Sequence, residues 1–177
     1  MKIALRKITE KDIEEYKYWQ LPIHQYHNYN GPYFSKSSKE KIEREIKVIF
    51  EALQEGNPDP MPKKRIISNE NNALLGEVSW YWKSKETNWL EIGIVIFDER
   101  NWGKGIGKQD LKLWIEELFN TQKEIVRVGL TTWSGNEGMI HLAEKLKMEK
   151  EAVYRKARIV NGNYYDSVSY GLSLIHI

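Results

Sequence analysis

In Glu91-Ile-Gly-Ile-Val-Ile-Phe-Asp-Glu-Arg-Asn-Trp-Gly-Lys-Gly-Ile-Gly-Lys108 an apolar run gives way to glycines at 103, 105 and 107. Leu111, Trp114, Ile115 and Leu118 then follow at helical spacing. The segment therefore reads as a strand, a glycine-rich loop and a helix. Glycine permits positive φ and a close approach of backbone to ligand. The mouth of a helix adds unpaired N–H donors and a partial positive charge. Together they make a seat for a pyrophosphate. Two familiar phosphate loops are excluded by spacing. A Walker A loop places Gly-Lys before Ser or Thr, whereas Gly103-Lys104 precedes Gly105 and Gly107-Lys108 precedes Gln109. A dinucleotide fingerprint runs Gly-x-Gly-x-x-Gly after an early strand, and here the pattern is Gly-x-Gly-x-Gly late in the chain.

Upstream, residues 89–97 read as a strand and residues 74–82 as its hairpin partner across the polar residues 83–88, with another strand at 65–68. Residues 2–6 read as a short strand. Thr9 and Asp12 open a helix over 10–19. Residues 22–34 are irregular, with a turn at Gly31-Pro32. Ser37 and Glu40 form a capping-box pattern before an amphipathic helix to about residue 54, with Ile42, Ile46 and Ile49 on one face. The proline-rich stretch after Gly56 is too short to separate two domains. Downstream come a strand at 125–132 and a helix at 136–146 that buries Met139, Leu142, Ala143 and Leu146. A hairpin of 153–160 and 165–174 then turns around Asn161-Gly162-Asn163. The order βααβββαβαββ predicts an α/β (α+β) fold: a mixed, mostly antiparallel sheet of about seven strands flanked by about four helices. The whole of residues 1–177 is expected to form a single domain.

Lys and Arg number 27 against 25 Asp and Glu, and the signs are interleaved, as in Glu40-Lys41-Ile42-Glu43-Arg44-Glu45. A nucleic-acid footprint takes clustered positive charge, so no nucleic-acid partner is expected. No apolar run approaches the roughly 18 residues of a membrane span, and the first residues lack a secretory signal. The absence of cysteine excludes disulfides and thiolate chemistry and fits a cytoplasmic protein. No His, Asp and Glu set has metal-ligand spacing, so no metal is expected.

Arg100-Asn-Trp-Gly103-Lys-Gly105 resembles the Gln/Arg-x-x-Gly-x-Gly/Ala signature of the GNAT acetyltransferase superfamily. The longer run to Gly107, the helix Asn136-Glu-Gly-Met-Ile-His-Leu-Ala-Glu-Lys-Leu146 and the hairpin Asn161-Gly-Asn-Tyr-Tyr-Asp166 are similar to its RimJ/RimL-type branch. The resemblance covers residues 73–174. It implies a splayed sheet in which the strand holding Glu91 parts from its neighbour and admits acetyl-CoA. Backbone groups of Ile94, Val95 and Ile96 would pair with the pantetheine arm. Arg100, Trp102, Gly103, Lys104, Gly105, Ile106, Gly107 and Lys108 would hold the pyrophosphate, and Asn136 would contact the pantetheine side. A backbone N–H of Val95 or Ile96 would meet the developing oxyanion. Two departures stand out: Lys147 where the family usually has glycine, and Ala143 where many members carry the tyrosine that protonates the leaving thiolate. The RimJ/RimL-type branch often lacks that tyrosine too.

The implied activity is N-acetyl transfer to a primary amine: a protein N-terminus, a polyamine, an aminoglycoside or a small metabolite. The alternative is an acyl-CoA-binding sensor without turnover. A homodimer is compatible with either. An amine attacks only when neutral, and a lysine amine, with a pKa near 10.4, is almost fully charged at pH 7, so a proton acceptor is required. Glu91 is the expected base, a carboxylate inside an apolar strand on the face of Gly93, Val95 and Phe97. Glu77 is a second such carboxylate. The expected acceptor pocket draws on His24, Tyr26, His27 and Tyr33 from the loop between the first two helices. Trp80 and Trp82, with Tyr81 between them, would wall it, and Asp166 and Tyr170 would close it.

Overall fold

Strand alternation sorts the apolar residues onto two faces of one sheet, and each face acquires its own helical cover. The computed structural model describes residues 2–174. Residues 1 and 175–177, included in the single-domain expectation, lie outside the described residues. The strands are β1 (Ile3–Arg6), β2 (Lys64–Asn69), β3 (Leu74–Ser84), β4 (Trp89–Ile96), β5 (Arg127–Trp133), β6 (Glu149–Val160) and β7 (Asn163–Ser173). The helices are α1 (Ile13–Gln20), α2 (Lys39–Gln54), α3 (Ile106–Thr121) and α4 (Glu137–Lys145). The seven strands lie in the order β1-β2-β3-β4-β5-β7-β6. All neighbours are antiparallel except β4 and β5, which α3 connects as a parallel crossover.

On one face Leu90, Ile92, Val128, Leu130 and Tyr170 pack under Leu111, Trp114 and Leu118 of α3 and Ala143 of α4. The α3 stripe follows from its helical spacing, and Leu111 is fully buried. Truncating it to alanine would cost about 2–5 kcal/mol. The Trp114 indole N–H is satisfied by the Ser79 carbonyl at 3.0 Å, which pins α3 to β3. The other face is smaller. Ile66 and Phe97 pack there against Ile13 and Tyr16 of α1, Tyr26, and Ile42 and Ile46 of α2. Among the described residues no helix is long and apolar enough to cross a membrane.

Local chemistry sets the boundaries. The Asp12 carboxylate accepts from the Thr9 N–H at 2.8 Å, the reciprocal half of a capping box. The expected first helix is broken here into a 3-10 turn, Glu10–Asp12, followed by α1. The cap of α2 is Ser38, not Ser37: its hydroxyl accepts from the Lys41 N–H at 3.3 Å. The irregular segment after α1 contains a further 3-10 turn, Gln25–Asn28. Helix α4 ends in a double reversal, Lys147 N–H to Glu144 O at 3.0 Å and Met148 N–H to Ala143 O at 3.1 Å. This is the Schellman arrangement. It requires a left-handed residue, and Lys147 supplies it at φ 62° where the family usually has glycine. The turn delivers the chain straight into β6, which therefore starts at Glu149 rather than at the expected residue 153. Asn161 and Gly162, at φ 50° and 77°, form the two-residue turn into β7.

Candidate active site

Strand β4 pairs with β3 as far as Gly76↔Ile96, but with β5 only at Leu90↔Val128 and Glu91↔Gly129. Beyond Glu91 the two central strands part. Strand β5 meanwhile stays paired with β7 along its length, from Arg127↔Ser173 to Trp133↔Ser167. The backbone edge of Ile94, Val95 and Ile96 therefore borders an opening wedge.

The glycine loop stands at the wide end of this wedge. Gly103 and Gly105 have φ of 72° and 82°, and Gly105 caps α3. A Cβ built on either meets nothing within 4 Å, so the space in front of the loop is open. Among the described residues, the N–H groups of 103–108 donate to no acceptor. Lys104 and Lys108 are exposed and stand in no ion pair. Free amides, a helix mouth and two unpaired lysines make a seat for a diphosphate-like anion. Arg100 is exposed and pairs with a near neighbour. Its guanidinium grips Asp98 through Nε at 2.9 and 3.0 Å, and this hydrogen bonding holds the Asp98 carboxyl below the usual range. The Trp102 indole donates to the Ile96 carbonyl at 2.9 Å, so one of the three strand carbonyls expected to meet a ligand is already engaged.

Across the wedge, Asn136 caps α4 by accepting from the Met139 N–H at 3.1 Å, and its amide donates to the Tyr29 carbonyl at 3.3 Å. The Trp133 indole donates to the same carbonyl at 2.9 Å, and the Tyr29 ring meets Trp102 edge-on at 5.5 Å. The loop between α1 and α2 thus reaches both banks of the wedge.

Glu91 lies at the narrow end, 2% exposed. Gly129 makes room for it, since a Cβ there would sit 3.4 Å from the Glu91 Cγ. Its carboxylate accepts from the Tyr81 hydroxyl at 2.5 Å, Lys83 Nζ at 2.8 Å and the Thr131 hydroxyl at 3.1 Å. Burial, then the hydrogen bond to Glu91, raises the Tyr81 pKa. Tyr81 is half exposed, so its hydroxyl is the outward face of the Glu91 centre.

The other expected pocket residues divide. Trp80 and Trp82 pack against the α3 core, on the face opposite Glu91, so they do not wall this centre; Tyr81 does. Tyr170 also belongs to that core and does not close the pocket. Glu77 is on the Glu91 face but is committed to the Tyr16 hydroxyl at 2.6 Å and Lys64 Nζ at 2.7 Å, tying α1 to the sheet. Tyr26 is buried, donates to the Trp19 carbonyl at 2.7 Å and packs on Phe97. His27 stacks on Tyr26 at 4.0 Å, and burial lowers its pKa, which keeps it neutral. His24 bonds the Tyr18 carbonyl at 2.8 Å and packs on Trp19. Of the loop set, Tyr33 meets the last hairpin: the Arg158 guanidinium lies 4.4 Å from its ring centroid. The expectation did not include Lys83, Thr131 or Arg158. The expected hairpin, closing from residues 82 and 89, sets Trp80 opposite Glu91; the bulge at Trp82 and Ser84 shifts the register to Tyr81↔Glu91 and brings Lys83 to the carboxylate.

A model of the acetyltransferase (GNAT) domain matches residues 2–149. The chain is 26% identical over 108 residues to the SPbeta prophage-derived uncharacterized N-acetyltransferase YokL of Bacillus subtilis (strain 168). That match takes in 61% of this chain and 60% of the relative. Among solved structures, a Vibrio cholerae spermidine N-acetyltransferase in complex with CoA and spermine superposes with a TM-score of 0.76 at 15% identity, over 98% of this chain and 96% of that one. RimL, a ribosomal L7/L12 alpha-N-protein acetyltransferase in complex with coenzyme A, gives 0.73 at 18% identity, over 99% and 96%. At these identities the structural likeness establishes the fold.

Proposed function

This chain belongs to the GNAT acetyltransferase family, and from that premise we propose that it transfers the acetyl group of acetyl-CoA to a primary amine by direct attack in a ternary complex. The observation that carries the reading is the parting of β4 from β5 beyond Glu91↔Gly129, with the unbonded amides of residues 103–108 at its wide end. A long ligand with a diphosphate near one end fits such a wedge, and the open space before Gly103 and Gly105 leaves room for it. Residues 103–108 with Lys104 and Lys108 hold the diphosphate, and the free edge of Ile94 and Val95 pairs with the arm. Acetyl-CoA supplies the activated thioester. The run from Arg100 to Gly107 supports placement in the RimJ/RimL-type branch, and the cysteine-free sequence fits a cytoplasmic enzyme.

The protein's own chemistry is positioning and proton removal. Glu91 is too deeply buried to meet an amine directly, so the acceptor presents its nitrogen to the Tyr81 hydroxyl. Tyr81 takes the amine proton as its own passes to Glu91, leaving a neutral phenol and a protonated carboxyl; the C–N bond forms as the thioester C–S bond breaks, and the CoA thiolate leaves to take a proton from solvent. Lys83 and Thr131 hold the carboxylate in register for this.

Calorimetric titration with acetyl-CoA, followed by free-thiol release against a panel of amines, tests the reading. Binding with amine-dependent thiol release is the expected result, and failure to bind acetyl-CoA removes it. Ala143, fully buried in the core without an ionisable group, favours one alternative, an acyl-CoA sensor. The sensor predicts binding with no thiol release for any amine.

A further inference from the structure

Strand β6 does not run straight past β7. Its register steps from Tyr154↔Ser167 to Arg158↔Tyr165, so the intervening residues bulge, and Lys156 takes φ 55°. The Asp166 carboxylate fixes the bulge by accepting from the Lys156 N–H at 2.9 Å. Asp166 is itself anchored to the end of β5, its N–H on the Ser134 hydroxyl at 3.0 Å and its carbonyl on the Ser134 N–H at 2.9 Å. Bulges re-aim side chains. This one places the Arg158 guanidinium 4.4 Å from the centroid of the Tyr33 ring, in the loop that spans the wedge. Arg158 Nε is buried there without an acceptor, and no carboxylate lies within ion-pair reach of the guanidinium among the described residues. Arg158 itself is partly exposed, but a shielded N–H ordinarily has an acceptor, because leaving that bond unmade is costly.

The location matters as much as the vacancy. Arg158 pairs with Tyr165 of β7, which strand alternation puts on the face of Ser169; the Ser169 and Thr131 hydroxyls meet at 3.1 Å and Thr131 donates to Glu91, so the guanidinium is on the Glu91 side of the sheet. Glu91 is already neutralised by Lys83 at 2.8 Å. The uncompensated charge of this pocket is therefore that of Arg158. A polycationic acceptor gains nothing from it, whereas an oxyanion does. Guanidinium presents parallel N–H donors that match a carboxylate, and a stacked aromatic ring holds that fork in plane.

We infer that Arg158, steadied by Tyr33, is a carboxylate subsite, and that the acceptor is an amino-acid-like molecule carrying its amine and a carboxylate together. The subsite deepens the transferase reading above and rests on it. The carboxylate docks on Arg158 while the amine reaches the Tyr81 hydroxyl.

The test pairs free amino acids and dipeptides with their carboxamides, adds spermidine, and measures thiol release from acetyl-CoA by wild type, Arg158→Gln and Arg158→Lys. The acids are expected to outperform the amides in wild type. The dipeptide and amino-acid arms then show at which distance from the amine the carboxylate sits. R158Q is expected to raise KM for the acids by about 10- to 100-fold, the loss of one charge-assisted hydrogen bond. The amides and the acetyl-CoA affinity would stay within about twofold, and R158K would recover part of the loss. Preference of the wild type for spermidine, or equal loss for acids and amides in R158Q, overturns the subsite alone. If no amine releases thiol, the transferase reading fails. Calorimetry with a dipeptide, on protein saturated with CoA, then decides the subsite separately. Binding weakened in R158Q upholds it, and binding that is absent or unchanged removes it.

Discussion

Asp110 sits in α3, three residues past Gly107, with no exposed surface and with neither carboxylate oxygen hydrogen-bonded. Burial pushes its pKa from 3.8 up to about 7. The folded chain therefore keeps a proton at pH 4–7 that the unfolded chain releases. The contribution of Asp110 is fully present below the unfolded pKa of 3.8 and is lost as pH rises through the folded value of about 7. The slope is about 1.4 kcal/mol per pH unit, which between 3.8 and about 7 amounts to about 4 kcal/mol. Asp110→Asn retains shape and polarity but cannot ionise. In urea unfolding followed by tryptophan fluorescence, the variant is expected to match wild type near pH 4. It gains on wild type steadily to about pH 7 and holds a constant advantage above it, up to about 4 kcal/mol. Comparing the two chains cancels Asp12 and Asp98, whose lowered pKa values act in the opposite direction. Parallel curves, or a wild type that gains on the variant with rising pH, would refute the buried-proton argument.

Gly105→Glu is expected to abolish acetyl-CoA binding by calorimetry, because the added carboxylate repels a diphosphate; the φ of 82° strains any side chain there, so Gly105→Ala, which carries the same strain without the charge, is the control and is expected to retain binding. Glu91→Gln is expected to lower kcat by about 10²- to 10⁴-fold with acetyl-CoA affinity unchanged; rates equal to wild type across pH would remove Glu91 as the base. Lys147→Gly relieves the left-handed strain at φ 62° and is expected to stabilise the chain by about 0.5–1 kcal/mol in chemical denaturation. A loss of stability there would mean that lysine contacts outweigh the strain.

Much of the scaffold was legible from local pattern. The strand, loop and helix of residues 91–118 follow from an apolar run, alternate glycines and a helical stripe, all short-range signals. Asn161-Gly162 specified its own turn. The cap of α2 was misplaced by one residue because Ser37 and Ser38 offer the same hydroxyl, and only the observed bond to the Lys41 N–H separates them. Trp80 and Trp82 were assigned to the pocket because a run of three aromatics does not reveal which face is core. Packing under α3 decided that, and adjacent strand residues point oppositely.

Sequence alone determined which segments become strands and helices and where an anion seat forms, since those depend on torsional preferences and contacts a few residues apart. Tertiary structure decided the rest: that β4 and β5 pair for two residue steps and then part, that Tyr81, Lys83 and Thr131 converge on Glu91, and that Arg158 comes to Tyr33. These meetings join distant parts of the chain, and sheet order, register and a bulge set them together, so no local pattern encodes them.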